Sequence, residues 1–147
     1  MNDRLDAYCK ELKKGGTEWV VVSGGMEPLA DPFTFDILRA ARAAGLNTRM
    51  VTNGILLSLP PVLRVFDGSL EKAADFILTH VDDLQISLDF SSRDEYLESK
   101  NLPLSSNVFD VLIANIRFLV QRKKALISEG YQDAVVAQIG DYSLKTP

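Results

Sequence analysis

A glycine-rich loop that holds a single acidic residue follows the first strongly apolar run of the chain. The loop is Ser23-Gly24-Gly25-Met26-Glu27-Pro28-Leu29, and the run before it is Trp19-Val20-Val21-Val22. Two residues without a Cβ let a backbone approach a ligand closely, and the carboxylate of the loop can hold a cationic group on that ligand. A strand, a glycine-rich turn and the start of a helix form a common ligand-binding arrangement in α/β proteins.

Two later polar segments also accompany predicted strands. Val51-Thr52-Asn53-Gly54 closes the strand predicted for residues 47–52, and Gln85-Ile86-Ser87-Leu88-Asp89 lies in the strand predicted for residues 84–90. The C-terminal ends of parallel strands share one edge, where α/β proteins bind ligands. Turn geometry alone also accounts for the Asn-Gly pair, and a polar network without a ligand also accounts for the serine and the aspartate. If the three segments form a ligand site, the residues expected to converge at that edge are Gly24, Gly25, Glu27, Asn53, Ser87 and Asp89.

Helical and strand patterns alternate along the whole chain. Strands are predicted over residues 18–23, 47–52, 84–90 and 134–139, and the segments between them carry helical periodicity and capping residues. We predict one α/β domain over residues 1–147, a partial (β/α) barrel of about four parallel strands alternating with helices. Periodicity alone does not separate such a barrel from an open doubly wound sheet. The three consecutive valines of the first strand predict a strand covered on both faces.

The bulk composition excludes several classes of protein. The chain has 147 residues, a net charge of −4 and a pI of about 5.0, which does not fit the basic surface of a nucleic-acid-binding protein. No apolar run is long enough to span a membrane, and no signal peptide is recognisable, so we expect a cytoplasmic protein. The single cysteine, Cys9, excludes an internal disulfide and is expected in the core.

The order and spacing of the three polar segments resemble the radical S-adenosylmethionine (SAM) superfamily over almost the whole chain. Gly24-Gly25-Met26-Glu27-Pro28 is similar to the Gly-Gly-Glu-Pro or Gly-Gly-Gly-Glu-Pro motif of that family, with Met26 where a glycine is common. The resemblance implies SAM as a cofactor. It places Gly24, Gly25 and Glu27 at the amino group of the methionine moiety of SAM.

The later segments extend the resemblance. Ser87 and Asp89 match the family's strand whose polar residues approach the ribose and the carboxylate of SAM, and Asn53 matches the end of the preceding strand and suits a hydroxyl group. The segments Glu95-Tyr96, 109–112 and 115–116 resemble family members that modify peptides or natural products. The resemblance therefore implies a small-molecule cofactor and a substrate of that kind, with the substrate itself unknown.

The cysteine content departs from the family. The family's chemistry uses a [4Fe–4S] cluster held by the spacing Cys-x3-Cys-x2-Cys, and this chain contains only Cys9. We therefore expect the cluster only in a longer or complemented form, and no reductive cleavage of SAM by this chain alone. We expect an internal piece of a longer enzyme or the product of a fragmentary or mis-started reading frame. A short protein that has lost catalysis is the third explanation.

Two further hypotheses belong to other functional classes. The chain could be a non-catalytic binding or interaction module, including a subunit of a split enzyme, because an open barrel leaves strand edges that invite self-association or a complementary segment. It could also be a nucleotide-binding domain that uses the glycines for phosphate. That last hypothesis is the weakest, because the loop carries an acid instead of a lysine and the chain has neither GxGxxG nor a P-loop pattern.

Overall fold

The chain forms a parallel sheet whose strands follow one another in sequence order. The computed structural model describes residues 3–88, 90, 92–131 and 138–140. β1 (Trp19–Val22) pairs with β2 (Asn47–Thr52), and β2 pairs with β3 (Asp83–Ile86), both in parallel. A three-residue strand, β4 (Gln138–Gly140), pairs in parallel with β3. The predicted α/β class and parallel pairing are confirmed.

Helices fill the connections between the strands. The described residues contain six α-helices: α1 (Asp3–Lys14), α2 (Phe33–Ala43), α3 (Pro60–Leu63), α4 (Leu70–His80), α5 (Arg93–Ser99) and α6 (Val108–Ser128). The sequence pattern predicts helices over residues 3–14, 69–79 and 108–129, and the bounds of α1, α4 and α6 lie within one residue of these. None of the helices in the described part of the chain is both long and apolar enough to cross a bilayer.

Side-chain caps define where several helices begin. The hydroxyl groups of Ser69 and Ser92 each accept a hydrogen bond from the amide three residues later, and α4 and α5 start directly after them. Asp31 accepts a hydrogen bond of 2.9 Å from the amide of Phe33, which begins α2. The sequence predicts Asp31 as the cap of α2 and Pro32 as its first residue. In the structure Pro32 holds the N-cap position without a side-chain hydrogen bond, and Asp31, which accepts the bond from Phe33, lies one residue further upstream.

The helices pack on one face of the sheet. Alternate strand residues point to the same face, and those in the hydrophobic core share it: Val20, Val22, Met50, Leu84 and Ile86. On the other face, Trp19 is 43% exposed and Val21 is 55% exposed. The prediction that β1 is covered on both faces is therefore wrong for Val21. The reason is that the hydrophobic clusters of the described residues take strand side chains from one face only.

The third strand is shorter than its pattern predicts. β3 ends at Ile86, although the amide of Ser87 still donates a hydrogen bond of 2.9 Å to the carbonyl of Thr52. Leu88 and Phe90 pack against the hydrophobic core without belonging to the strand. Their apolar alternation therefore reflects packing at the strand end. Asp89 lies outside the described residues, and only residues 138 and 139 of the last predicted strand lie within them, both in β4.

Candidate functional site at the strand ends

Glu27 joins the end of β1 to the end of β2. Its Oε1 accepts hydrogen bonds from the amide of Leu29, at 3.1 Å, and from the hydroxyl group of Thr52. Its Oε2 accepts a hydrogen bond of 2.8 Å from the amide of Asn53. The carboxylate is half-buried, so these three donors hold it in one orientation across two neighbouring strand ends.

Part of the role of Glu27 is structural. The residue precedes the 3₁₀ turn Pro28–Ala30 and caps it through the bond to Leu29, whereas the first amide of α2, that of Phe33, bonds to Asp31. A carboxylate offers about four acceptor positions, and the hydrogen bonds from described residues occupy three of them. Oε2 therefore keeps capacity for about one further donor, which a ligand can supply.

The glycine-rich loop before Glu27 is open. Gly24 has a φ of +136°, in a region that side chains rarely adopt, and no atom would lie within 4 Å of a Cβ placed at Gly24 or at Gly25. Met26 is 79% exposed, so its side chain does not pack over the loop. The amides of Gly24, Gly25 and Met26 donate no hydrogen bond to any other described residue. The backbone of this loop is therefore accessible to a ligand.

The end of β2 is a tight turn fixed by its own side chains. The Thr52 hydroxyl group accepts a hydrogen bond of 3.0 Å from the amide of Gly54, and Asn53 Oδ1 accepts one of 3.0 Å from the amide of Ile55. Gly54 is left-handed, with a φ of 73°. Asn53 Oδ1 therefore takes part in the turn, and the backbone amide of Asn53 donates to Glu27 Oε2. The Nδ2 group of Asn53 makes no hydrogen bond with the described residues and can face a ligand.

A buried amide supports this turn from α6. Asn115 Nδ2 donates hydrogen bonds to the carbonyl groups of Gly54, at 2.8 Å, and Ile55, at 3.0 Å. The sequence interpretation did not include Asn115 or Thr52 among the site residues. A signal for Asn115 exists in the sequence, because this polar residue lies between Leu112 and Leu119 on the apolar stripe of the helix.

Ser87 lies beside the network without joining it through its side chain. It is exposed, directly after β3, and its amide binds the carbonyl of Thr52. Its hydroxyl group makes no hydrogen bond with the described part of the chain. The structure thus brings Glu27 and Asn53 into contact, with Ser87 on the next strand end.

The residues present do not fit an iron–sulfur cluster. Cys9 is buried in α1 in a cluster with Ala40, Ala41 and Leu46. Burial raises the pKa of the Cys9 thiol, and the nearby charge of Asp6 raises it further, which disfavours the thiolate that such clusters require. Among residues 3–88, 90 and 92–131, no group of three His, Cys, Asp or Glu side chains is placed to hold a metal ion.

No protein-family model matches the chain, and no curated protein matches its sequence. Function is therefore inferred from the strand-end geometry together with the motif resemblance.

Proposed function

We propose that this chain provides the SAM-binding strand ends of a radical-SAM-like protein, with Glu27 receiving the ammonium group of SAM. One observation carries the proposal: the Glu27 carboxylate is held by Thr52 and Asn53 directly after an open backbone at Gly24 and Gly25. An anion, accessible amides and free polar side chains meet at the edge of the sheet where α/β proteins bind ligands.

A pre-fixed carboxylate suits a cationic ligand for two physical reasons. Charge-assisted hydrogen bonds are roughly twice as strong as neutral ones, and Glu27 keeps an acceptor position on Oε2 for such a bond. The donors from Thr52 and Asn53 already order the side chain, so ligand binding does not have to fix its rotamer. Asn53 Nδ2 and the Ser87 hydroxyl group are then available to the hydroxyl groups of a ribose.

The position of the hydrophobic core on one face of the sheet supports a partial (β/α) barrel as the more specific description of the fold. In a doubly wound sheet helices cover both faces, whereas in a (β/α) barrel they surround the outer face only. Here the strands follow in sequence order and the core lies on one face. Trp19, Val21 and Arg49 would then belong to the inner face of the barrel.

The proposed role is SAM binding, without SAM cleavage by this chain alone. The cluster that would supply reductive cleavage does not fit the cysteine content or the buried position of Cys9, so we assign it only to a longer or complemented form. The substrate class, a peptide or natural product, follows from the motif resemblance alone.

Calorimetric titration of the full chain with SAM tests the proposal. We expect measurable binding by the wild type and an affinity about 10- to 100-fold lower for Glu27→Gln, because one charge-assisted contact is lost. Glu18→Gln is the matched control, because Glu18 is exposed and precedes β1 at the opposite end of the strand. Absence of SAM binding by the wild type, or equal affinity of the two variants, would overturn the proposal.

A second ligand separates a binding effect from a folding effect. 5′-Methylthioadenosine has the nucleoside part of SAM without its ammonium and carboxylate groups. Its affinity should be the same for the wild type and Glu27→Gln if the carboxylate receives the ammonium. An equal loss of affinity for both ligands would mean that the substitution damages the site as a whole.

The alternative function, a non-catalytic interaction module or a subunit of a split enzyme, is favoured by a different observation. β1 is at one end of the described strand order, and its exposed Trp19 and Val21 leave an apolar strip beside that edge. We expect such a module to self-associate or to bind a complementary segment through this strip. Sedimentation velocity over a range of concentrations tests self-association, which Val21→Lys should abolish. A wild-type monomer at all concentrations would contradict self-association.

A further inference from the structure

A chain of hydrogen bonds, joined at Gly54 by the backbone of that residue, runs from α6 to Glu27. Asn115 Nδ2 donates to the carbonyl of Gly54, the amide of Gly54 donates to Thr52 Oγ1, and Thr52 Oγ1 donates to Glu27 Oε1. The carbonyl and the amide nitrogen of Gly54 belong to different peptide groups, so the link across Gly54 is carried by the position of its backbone. Asn115 is 61 residues from Gly54 in sequence, so the chain links distant parts of the molecule.

The packing around Gly54 leaves no room for a side chain. A Cβ on Gly54 would lie 3.1 Å from a methyl group of Ile86 and 3.1 Å from a methyl group of Leu112. The residue is therefore pressed between β3 and α6, and its φ of 73° directs its carbonyl and its amide to different partners. A displacement of α6 would move both hydrogen bonds of this residue.

We infer that Asn115 is a positioning residue for Glu27. It sets the orientation of the Glu27 carboxylate through Gly54 and Thr52. The position of α6 is thereby linked to cation binding at the strand ends. The inference deepens the proposed function and rests on it for the identity of the cation. It does not require Asn115 to touch the ligand.

The chemistry of the position explains why an asparagine is needed. Asn115 is buried and faces two neighbouring carbonyl groups, and its amide nitrogen supplies one hydrogen to each. Aspartate would direct a negative charge at both carbonyl oxygens. Alanine or leucine would leave the two carbonyl groups without these donors, which is unfavourable for buried polar groups.

Nuclear magnetic resonance of the ligand-free protein tests the inference directly. The reporter is the backbone amide of Asn53, which donates to Glu27 Oε2. We expect its resonance to shift in Asn115→Ala and to stay near its wild-type position in Leu119→Ala, a control that removes buried packing from the same helix. A shift no larger in Asn115→Ala than in Leu119→Ala would overturn the inference.

A reciprocal measurement keeps the test decisive if Asn115→Ala does not fold. Glu27→Gln alters the far end of the hydrogen-bond chain and leaves α6 intact. The side-chain amide resonances of Asn115 should shift in this variant and remain unchanged in Glu18→Gln. Unchanged Asn115 resonances in both variants would show that the two residues are not coupled.

Titration with SAM then separates this inference from the proposed function. If both hold, Asn115→Ala should weaken SAM binding roughly tenfold and leave 5′-methylthioadenosine binding unchanged. Failure of the wild type to bind SAM overturns the proposed function, while the resonance measurements still decide the coupling. A shifted Asn53 resonance with unaltered SAM affinity would overturn the link between α6 and cation binding.

Discussion

The Thr52 hydroxyl group donates a hydrogen bond to Oε1 of Glu27, which lies 25 residues earlier in the chain and at the end of the neighbouring strand. Thr52 is buried, and the same oxygen accepts the amide of Gly54. The orientation of the acidic residue in the β1 loop is therefore determined by the end of β2.

Replacing Thr52 by valine should destabilise the protein. The change keeps the shape of the side chain but leaves the amide of Gly54 without its acceptor and Glu27 without one donor. We expect a loss of about 1–3 kcal/mol in the free energy of unfolding, measured by urea denaturation. Thr17→Val is the control, because the half-buried Thr17 makes no side-chain hydrogen bond with the described residues and should change stability by only a few tenths of a kcal/mol. Equal effects of the two substitutions would contradict this role of Thr52.

Gly54→Ala should cost more stability than Gly68→Ala. Both glycines are left-handed, with φ of 73° and 78°, but a Cβ at Gly68 meets no atom within 4 Å, whereas one at Gly54 meets Ile86 and Leu112 at 3.1 Å. The first substitution therefore combines backbone strain with overpacking, and the second causes strain alone. We expect a difference of about 1–3 kcal/mol in unfolding free energy between the variants. Equal losses of stability in the two variants would mean that Ile86 and Leu112 move aside to accommodate the new methyl group.

His80 should make stability fall as the pH is lowered. Burial lowers the pKa of His80, the cations of Arg39 and Arg42 lower it further, and the hydrogen bond to the Phe76 carbonyl opposes them. Below about pH 6.5, the ordinary histidine value, the unfolded chain therefore binds a proton that the native protein does not. This loss of stability begins as the pH falls through that value and stops growing below the native pKa.

His80→Phe isolates this effect, because His80 is the single histidine of the chain and the new ring can still stack on Phe76. Urea denaturation at about pH 7.5 and pH 5.5, on either side of the ordinary histidine pKa, should show a larger drop for the wild type than for the variant. Identical drops would mean that His80 keeps its ordinary pKa in the folded protein.

Cys9 should react slowly with thiol reagents in the native state. Its side chain is buried between α1 and α2, and the raised pKa leaves little of the reactive thiolate. With a disulfide reagent at neutral pH we expect a rate at least about tenfold lower for the native than for the urea-unfolded protein. Comparable rates would show that α1 separates readily from α2.

Local signals predicted the elements of the fold well because they act over a few residues. Ser92 begins a capping-box pattern in the sequence and caps α5 in the structure. The exposure of Val21 differs from the prediction, because a run of valines indicates β propensity and does not show which faces of the strand the helices cover. β3 ends at Ile86, earlier than the alternating pattern predicts. Leu88 and Phe90 continue that pattern because they pack against the core after the strand has ended.

The candidate site was predictable only in part. The glycine-rich motif and the Asn-Gly turn directed attention to Glu27 and Asn53, which the structure brings into hydrogen-bond contact. The contributions of Thr52 and Asn115 depend on contacts across 25 and 61 residues, and no local pattern in a single sequence encodes such pairings. The ligand roles of these residues remain predictions.

The uncovered face of the sheet carries the only tryptophan of the chain. Trp19 is partly exposed there, with the guanidinium group of Arg49 lying 5.6 Å from the centre of its ring. Intrinsic fluorescence excited at the red edge of indole absorption therefore originates from this face alone. Without any added label, the emission of Trp19 would therefore respond to anything that covers this face of the sheet.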